Sequence, residues 1–319
     1  MSIEARQRLH PQARAAVEQL YASGAHPRHV LTPREAREAL LRLPSHPGPP
    51  VAEVSDHRFT SRSGSLAVRV YRPAGQPLGT LLYLHGGGWV LGTLDGSDGL
   101  CRNLAARAGC HVVSLDYRLA PEFPFPAALE DTQDCLAALA AGEIIAASRL
   151  GPLAVAGMSA GANLAAVACH LARDHGGPQI AHQLLIVPVC DCDLSRGSYL
   201  DNEVGLGLEL VEMRWFWSHY LPEPSARQSP LASPLRSPRF DQLPPASMVV
   251  ADCDPLRDEG ELYARRLHEA GVSVTCARWN GVHHGFFGDD RIDAGVMALA
   301  AHSEALRRAF RGPTRTACG

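Results

Sequence analysis

The stretch PLAVAGMSAGANLAAVACHLA, residues 152 to 172, decides how the rest of the chain is read. It begins as a short apolar strand and ends as a helix, with Gly157-Met158-Ser159-Ala160-Gly161 at the join. A sharp strand-to-helix turn of the form G-x-S-x-G admits only small flanking residues and lifts the serine hydroxyl clear of the sheet edge. By composition alone roughly 0.2 such matches are expected by chance in a chain this long, so the pattern needs support. Support comes from His85-Gly86-Gly87-Gly88, which directly follows the apolar run LLYL and which chance would supply only about 0.01 times.

Three consecutive glycines weaken any regular element, because each loses the most backbone freedom on folding. Here they let the chain fold back so that amide N–H groups point into a pocket instead of into a sheet ladder. Such amides stabilise the negative oxygen of a tetrahedral intermediate. One donor of this kind is worth on the order of 3 kcal/mol in the transition state, against roughly 1 kcal/mol of folding cost per glycine. The structural alternative for His85 itself, a hydrogen bond that shapes the loop, is preferred to a role as base.

A serine nucleophile requires a base, and the base an orienting carboxylate. After Ser159, the strand SMVVA runs into DCDPLRDEG and the strand SVTCAR into WNGVHHGFF. Both place their candidates at carboxyl ends of strands, where open α/β sheets build sites. Asp252, Asp254 and Asp258 compete for the acid. Asp258, with Glu261 three residues on, reads as a helix capping box, Asp252 falls at the strand end, and Asp254, held against Pro255 in a fixed turn, is the choice. His283 and His284 are adjacent on one loop, and physics alone does not separate them.

Strand and helix patterns alternate through the chain, which predicts a mostly parallel sheet covered by helices. Strands are expected at 66 to 72, 80 to 84, 111 to 115, 152 to 156, 183 to 187, 247 to 251 and 273 to 278. Helices are expected at 98 to 107, 127 to 141, 160 to 173, 259 to 270 and 293 to 310. Two regions break the alternation. The first 45 residues read as helical and end in PSHPGPP; the region from Ser195 to Pro245 holds the helix-like EMRWFWSHYL and then a proline-rich run. Together they suggest a lid, giving a division into residues 1–45 (N-terminal part of a helical cap), 46–194 (core), 195–225 (cap insertion) and 226–319 (core).

The chain has 319 residues, with 30 basic against 33 acidic side chains and a net charge of −3. No basic block points to nucleic acid or to a membrane surface. The nine cysteines lack C-x-x-C spacing, which removes the usual zinc and thioredoxin-like patterns. The charged start has no apolar run of a secretory signal, and the most apolar stretch is too broken by Pro152, Asn163 and His170 to span a bilayer. A cytoplasmic protein needing no cofactor and no metal is expected; a homodimer is compatible with the sequence.

From about residue 50 onward the chain resembles the hormone-sensitive-lipase-like family of α/β-hydrolase esterases. The matching stretches are HGGGW (85–89), DYRLAPEFPFPAALED (116–131), GMSAGANLA (157–165), DPLRDEG (254–260) and HGFF (284–287). The resemblance implies an α/β-hydrolase fold with a helical cap, and Ser159 as nucleophile, Asp254 as acid and His284 as base. It also implies the amides of Gly87, Gly88 and Ala160 as oxyanion donors. Trp89 and the aromatic group around Trp215, Phe216, Trp217 and Tyr220 either line an acyl pocket, with Trp89 and Trp215 touching substrate, or pack the lid onto the core. Met158 and Ala162 depart from the residues usual at their positions. The implied activity is hydrolysis of short- to medium-chain esters through an acyl-enzyme.

Two other readings stand beside it. The same fold serves hormone perception in plants without the catalytic histidine, but His284 is present here. The same triad can also cleave amides. A metal site from His283, His284 and Asp254 fits by residue type, but would leave Ser159 unexplained.

Overall fold

The computed structural model describes residues 7–23, 27–42 and 47–312. The extreme N-terminus, part of the PSHPGPP break and Cys318 lie outside the described residues. Eight strands form one sheet: β1 (Glu53–Ser61), β2 (Gly64–Arg72), β3 (Thr80–Leu84), β4 (His111–Asp116), β5 (Leu153–Met158), β6 (Ile180–Ile186), β7 (Ala246–Cys253) and β8 (Val274–His283). Their spatial order is β1-β2-β4-β3-β5-β6-β7-β8. The β1–β2 and β2–β4 pairs are antiparallel and all others parallel.

Ten α-helices lie among the described residues: α1 (Pro11–Ala22), α2 (Pro33–Leu40), α3 (Asp98–Ala108), α4 (Ala127–Ala141), α5 (Ala147–Leu150), α6 (Ala160–His175), α7 (Gly197–Asp201), α8 (Leu210–Tyr220), α9 (Arg257–Glu269) and α10 (Asp293–Arg311). None is long and apolar enough to cross a membrane.

The central strands explain the architecture. All five residues of β3, TLLYL, are buried, as a strand covered on both faces must be. Its side chains alternate between two cores: Leu82 and Leu84 join one cluster with Leu136 of α4, Leu164 of α6 and Leu267 of α9. Leu81 and Tyr83 join the other, with Val17 of α1, Leu104 of α3 and Leu306 of α10. Helix α6 is buried from Ala160 to His170 on every side, which its run of alanines permits by keeping its girth small.

The sequence expectations hold for the interior strands and fail in three places. Strand β1 was not anticipated, because an edge strand with mostly exposed side chains carries no apolar run. Strand β8 continues through WNGVH, so His284 follows the strand directly instead of lying within a long loop. The capping box at Asp258 is absent. Helix α9 starts at Arg257 with no side-chain cap, and the Asp258 carboxylate instead accepts the Ser198 amide at 2.8 Å and the Arg257 guanidinium at 2.9 Å.

The N-terminal helices and the insertion meet. Tyr21 of α1 donates to Glu209 at 2.6 Å, and the Arg28 amide donates to Glu212 of α8 at 2.9 Å. Glu209 and Glu212 also form the capping box that starts α8. A Cβ on Gly207 would lie 3.7–3.8 Å from Leu20 and Val17, so the insertion rests on α1. The eight cysteines among the described residues are all unpaired.

Candidate active site

Strand β5 ends at Met158, and Ser159 then takes φ 57°, ψ −117°, a strained conformation for a residue with a side chain. It is held there by backbone hydrogen bonds: its amide donates to Ile186 O at 2.8 Å, and its carbonyl accepts from Asn163 N at 3.1 Å and Val189 N at 3.3 Å. The turn is possible only with the two flanking glycines. A Cβ on Gly157 would lie 2.2 Å from Gly161, and a Cβ on Gly161 would lie 2.0 Å from the Leu84 carbonyl. Although Ser159 occupies the N-cap of α6, its side chain makes no capping bond. The Ala160 amide sits in the first turn, where N–H groups lack helical partners and the helix dipole favours negative charge.

The glycine loop runs from His85 to Gly92, beside this elbow: a Cβ on Gly86 would lie 3.1 Å from Met158 O and 3.6 Å from Ser159 Cβ. Several of its carbonyls are tied back. Gly86 O meets His85 Nδ1 at 2.8 Å, and Gly87 O accepts from Leu91 N at 2.8 Å and Val90 N at 3.1 Å. Trp89 O accepts from Ala120 N at 2.9 Å, and Val90 O from Arg37 Nε at 2.8 Å. Gly87 and Gly88 adopt φ 116° and 59°, which glycine alone adopts without strain.

His85 serves this loop. Its ring stacks on Tyr117 with centroids 4.1 Å apart, and the Tyr117 hydroxyl donates to the His85 carbonyl at 2.8 Å. Burial pushes its pKa down to about 4, so the imidazole stays neutral.

Asp254 is the first residue after β7 and is 1% exposed. Its Oδ2 lies 2.7 Å from His284 Nδ1, and its Oδ1 accepts the Leu256 amide at 2.9 Å. With Nδ1 facing the carboxylate, the ring keeps Nε2 for another partner. Its rivals go elsewhere. Asp252 faces Arg8 at 4.0 Å, and Asp258 binds Ser198 and Arg257. His283 lies against Gly207, with Cδ2 3.4 Å from that residue's Cβ position, and burial pushes its pKa down to about 4. Ser159, Asp254 and His284 thus follow directly on β5, β7 and β8, at the carboxyl edge of parallel strands.

The aromatic residues divide. Trp89 is 0% exposed, stacked on Tyr220 at 4.0 Å and tilted against Trp217 at 4.9 Å. It therefore packs α8 onto the glycine loop. Trp215 is only partly buried, edge-on to Phe216 and His219. Arg37 is the neighbour of the loop that the sequence does not single out, since it sits in a helix with no visible tie to the glycines. Phe216, one of the four clustered aromatics, packs against Gly88. Met158 is partly buried against the core and Ala162 fully buried. Among the described residues no group of three or more His, Cys, Asp or Glu side chains could hold a metal ion.

Residues 81–288 match the family model of the alpha/beta hydrolase fold. The chain is 39% identical to "Esterase LipI" of Mycobacterium tuberculosis over 84% of each chain. It is 42% identical to "Ethyl acetate hydrolase" of Pseudomonas putida, over 73% of this chain and 75% of that protein. A solved ester hydrolase from the metagenome of Lake Arreo, complexed with a derivative of bipyridine phosphonate, superposes with TM-score 0.88. Its identity is 36%, over 95% of this chain and 100% of that one. With this likeness spanning sheet, elbow and glycine loop, the chain belongs to the hormone-sensitive-lipase-like family of α/β-hydrolase carboxylesterases.

Proposed function

We propose that this carboxylesterase works by covalent catalysis, with Ser159 as nucleophile, His284 as base and Asp254 as the orienting acid. Ser159 Oγ attacks the ester carbonyl as His284 Nε2 takes its proton, and Asp254 stabilises the imidazolium that forms. The amides of Gly87, Gly88 and Ala160 stabilise the oxyanion. His284 then gives its proton to the leaving alcohol, and water activated by the same ring releases the acid. The observation that carries this reading is the 2.7 Å Asp254–His284 bond, at the same sheet edge as a serine held at φ 57° beside the glycine loop.

Short- to medium-chain acyl esters are the proposed substrates, a reading supported by the relative named for ethyl acetate hydrolysis. The N-terminal helices and the 195–225 insertion act as a cap over the site, with Trp215 toward the substrate. Amide cleavage by the same residues is the rival, and matched p-nitrophenyl esters and anilides separate the two. The decisive experiment is Ser159→Ala with a phosphonate probe. Wild-type protein gains the probe's mass at Ser159 and loses activity in step, whereas a variant that still turns over esters would refute the assignment.

A further inference from the structure

The Gly86, Gly87 and Trp89 carbonyls of the glycine loop are held by groups within the loop or just after β4. Val90 O is held by a side chain from the N-terminal helix α2, through Arg37 Nε at 2.8 Å. The same guanidinium reaches the other segment that touches the loop. Its Nη2 donates to Ala120 O at 2.7 Å, and Nη1 and Nη2 pair with the two oxygens of Glu122 at 2.8 and 2.7 Å. Ala120 in turn donates its own amide to Trp89 O. One planar fork therefore fixes Val90 directly and Trp89 through Ala120. These are the two residues that follow the amide donors Gly87 and Gly88.

The helix that carries Arg37 is itself well anchored at its start. Thr32 and Glu35 form a complete capping box, with Pro33 in the first helical position. Arg37 is 28% exposed and Glu122 53% exposed, so the ion pair as such adds little to stability. Its value lies in direction. The carboxylate fixes the guanidinium plane, which leaves the remaining N–H groups aimed at two backbone carbonyls.

Building on the proposed acyl-enzyme mechanism, we propose that Arg37 is a positioning residue for oxyanion stabilisation. Through the Arg37–Glu122 fork, helix α2 holds the loop in the conformation whose amides face Ser159. The N-terminal segment thus contributes to turnover as well as to enclosing a substrate. A fixed donor costs no reorganisation when charge develops, and a donor that drifts loses its advantage in the transition state while ground-state binding changes little.

The test uses the full chain, a p-nitrophenyl butyrate assay and a trifluoromethyl ketone that forms a tetrahedral adduct with a serine. Arg37→Lys keeps the charge but loses the fork; Glu122→Gln keeps the shape but loses the anchor. For Arg37→Lys we expect kcat to fall roughly ten- to a hundredfold with KM within about twofold, and ketone affinity to weaken in proportion to kcat. Glu122→Gln moves the same quantities less, and its exposed position keeps the protein folded if the lysine variant is not. Unchanged kcat and ketone affinity in these variants, whatever their melting temperatures, would overturn the proposal and leave Arg37 as a mere tether of α2. Ser159→Ala run alongside separates the two levels. Turnover surviving there defeats the mechanism beneath, whereas an inactive Ser159→Ala beside a fully active Arg37→Lys defeats only the positioning role.

Discussion

Phe216 closes directly over Gly88: a methyl group built on that glycine would come within 2.0 Å of the ring. The contact joins helix α8 to the loop that holds the proposed amide donors, and Phe216 is only 4% exposed there. Gly88→Ala would force the ring aside and place a side chain at φ 59°. Destabilisation of about 1–3 kcal/mol is expected, with loss of most activity. Adding Phe216→Ala should recover part of the stability and little of the rate. Urea midpoints of the single and double variants check this, and strict additivity would mean that the two residues do not clash.

Asp254→Asn removes the acceptor that orients His284 while keeping its shape. The amide has no charge to stabilise an imidazolium, so kcat should drop by about three to four orders of magnitude, as in triads generally. The fold should survive. Steady-state kinetics with a p-nitrophenyl ester beside a thermal melt give the answer.

Gly161→Ala tests the elbow. The added carbon would sit 2.0 Å from the Leu84 carbonyl, pushing α6 away from β3. A lowering of the melting temperature by several degrees and loss of phosphonate labelling at Ser159 are expected, since overpacking typically costs about 1–3 kcal/mol. Calorimetry and intact mass measure the two effects.

Acid should unfold the protein before its carboxylates are titrated. His85, His170, His182, His283 and His302 are each pushed down to about 4 by burial. In the unfolded chain each takes up a proton near pH 6.5, so the unfolded state binds more protons through the window from about 6.5 to about 4. Stability is therefore full above that window and falls as pH drops through it. At pH 5 the five histidines give the unfolded chain about four extra protons. Urea titrations at pH 7, 6 and 5 should show a steep decline; a flat midpoint would mean that these rings are not buried neutral.

A base that accepts the serine proton must be unprotonated, so the rate should have its own acid limb. Burial holds His283 neutral to about pH 4, and the hydrogen bond to Asp254 comes from His284 instead. His283→Asn should leave the position of that limb unchanged. A pH profile of kcat/KM for the variant decides it.

What could be read from the sequence followed physical necessity. The interior strands announce themselves, because burial on both faces leaves only apolar residues to use. Gly157 and Gly161 are forced by contacts shorter than any side chain allows, so the motif spells out the turn. Strand β1, exposed along most of its length, has no such constraint and was invisible. Between Asp252, Asp254 and Asp258 the choice was local, and geometry separates them by partner: only Asp254 meets His284. Arg37 left no trace as a support of the loop because its ties to that turn are to backbone carbonyls, and a carbonyl has no letter in a sequence.

The strained serine is braced from outside the proposed cap. Its amide is gripped by Ile186 at the end of β6 and its carbonyl by Asn163 of α6 and by Val189, three residues past β6. If the N-terminal helices and the insertion form the proposed cap, that roof can be exchanged, and with it the range of molecules admitted, without retuning the proposed nucleophile. The exchange is not wholly free. A new roof must still deliver a guanidinium to Val90 or find another way to hold that turn.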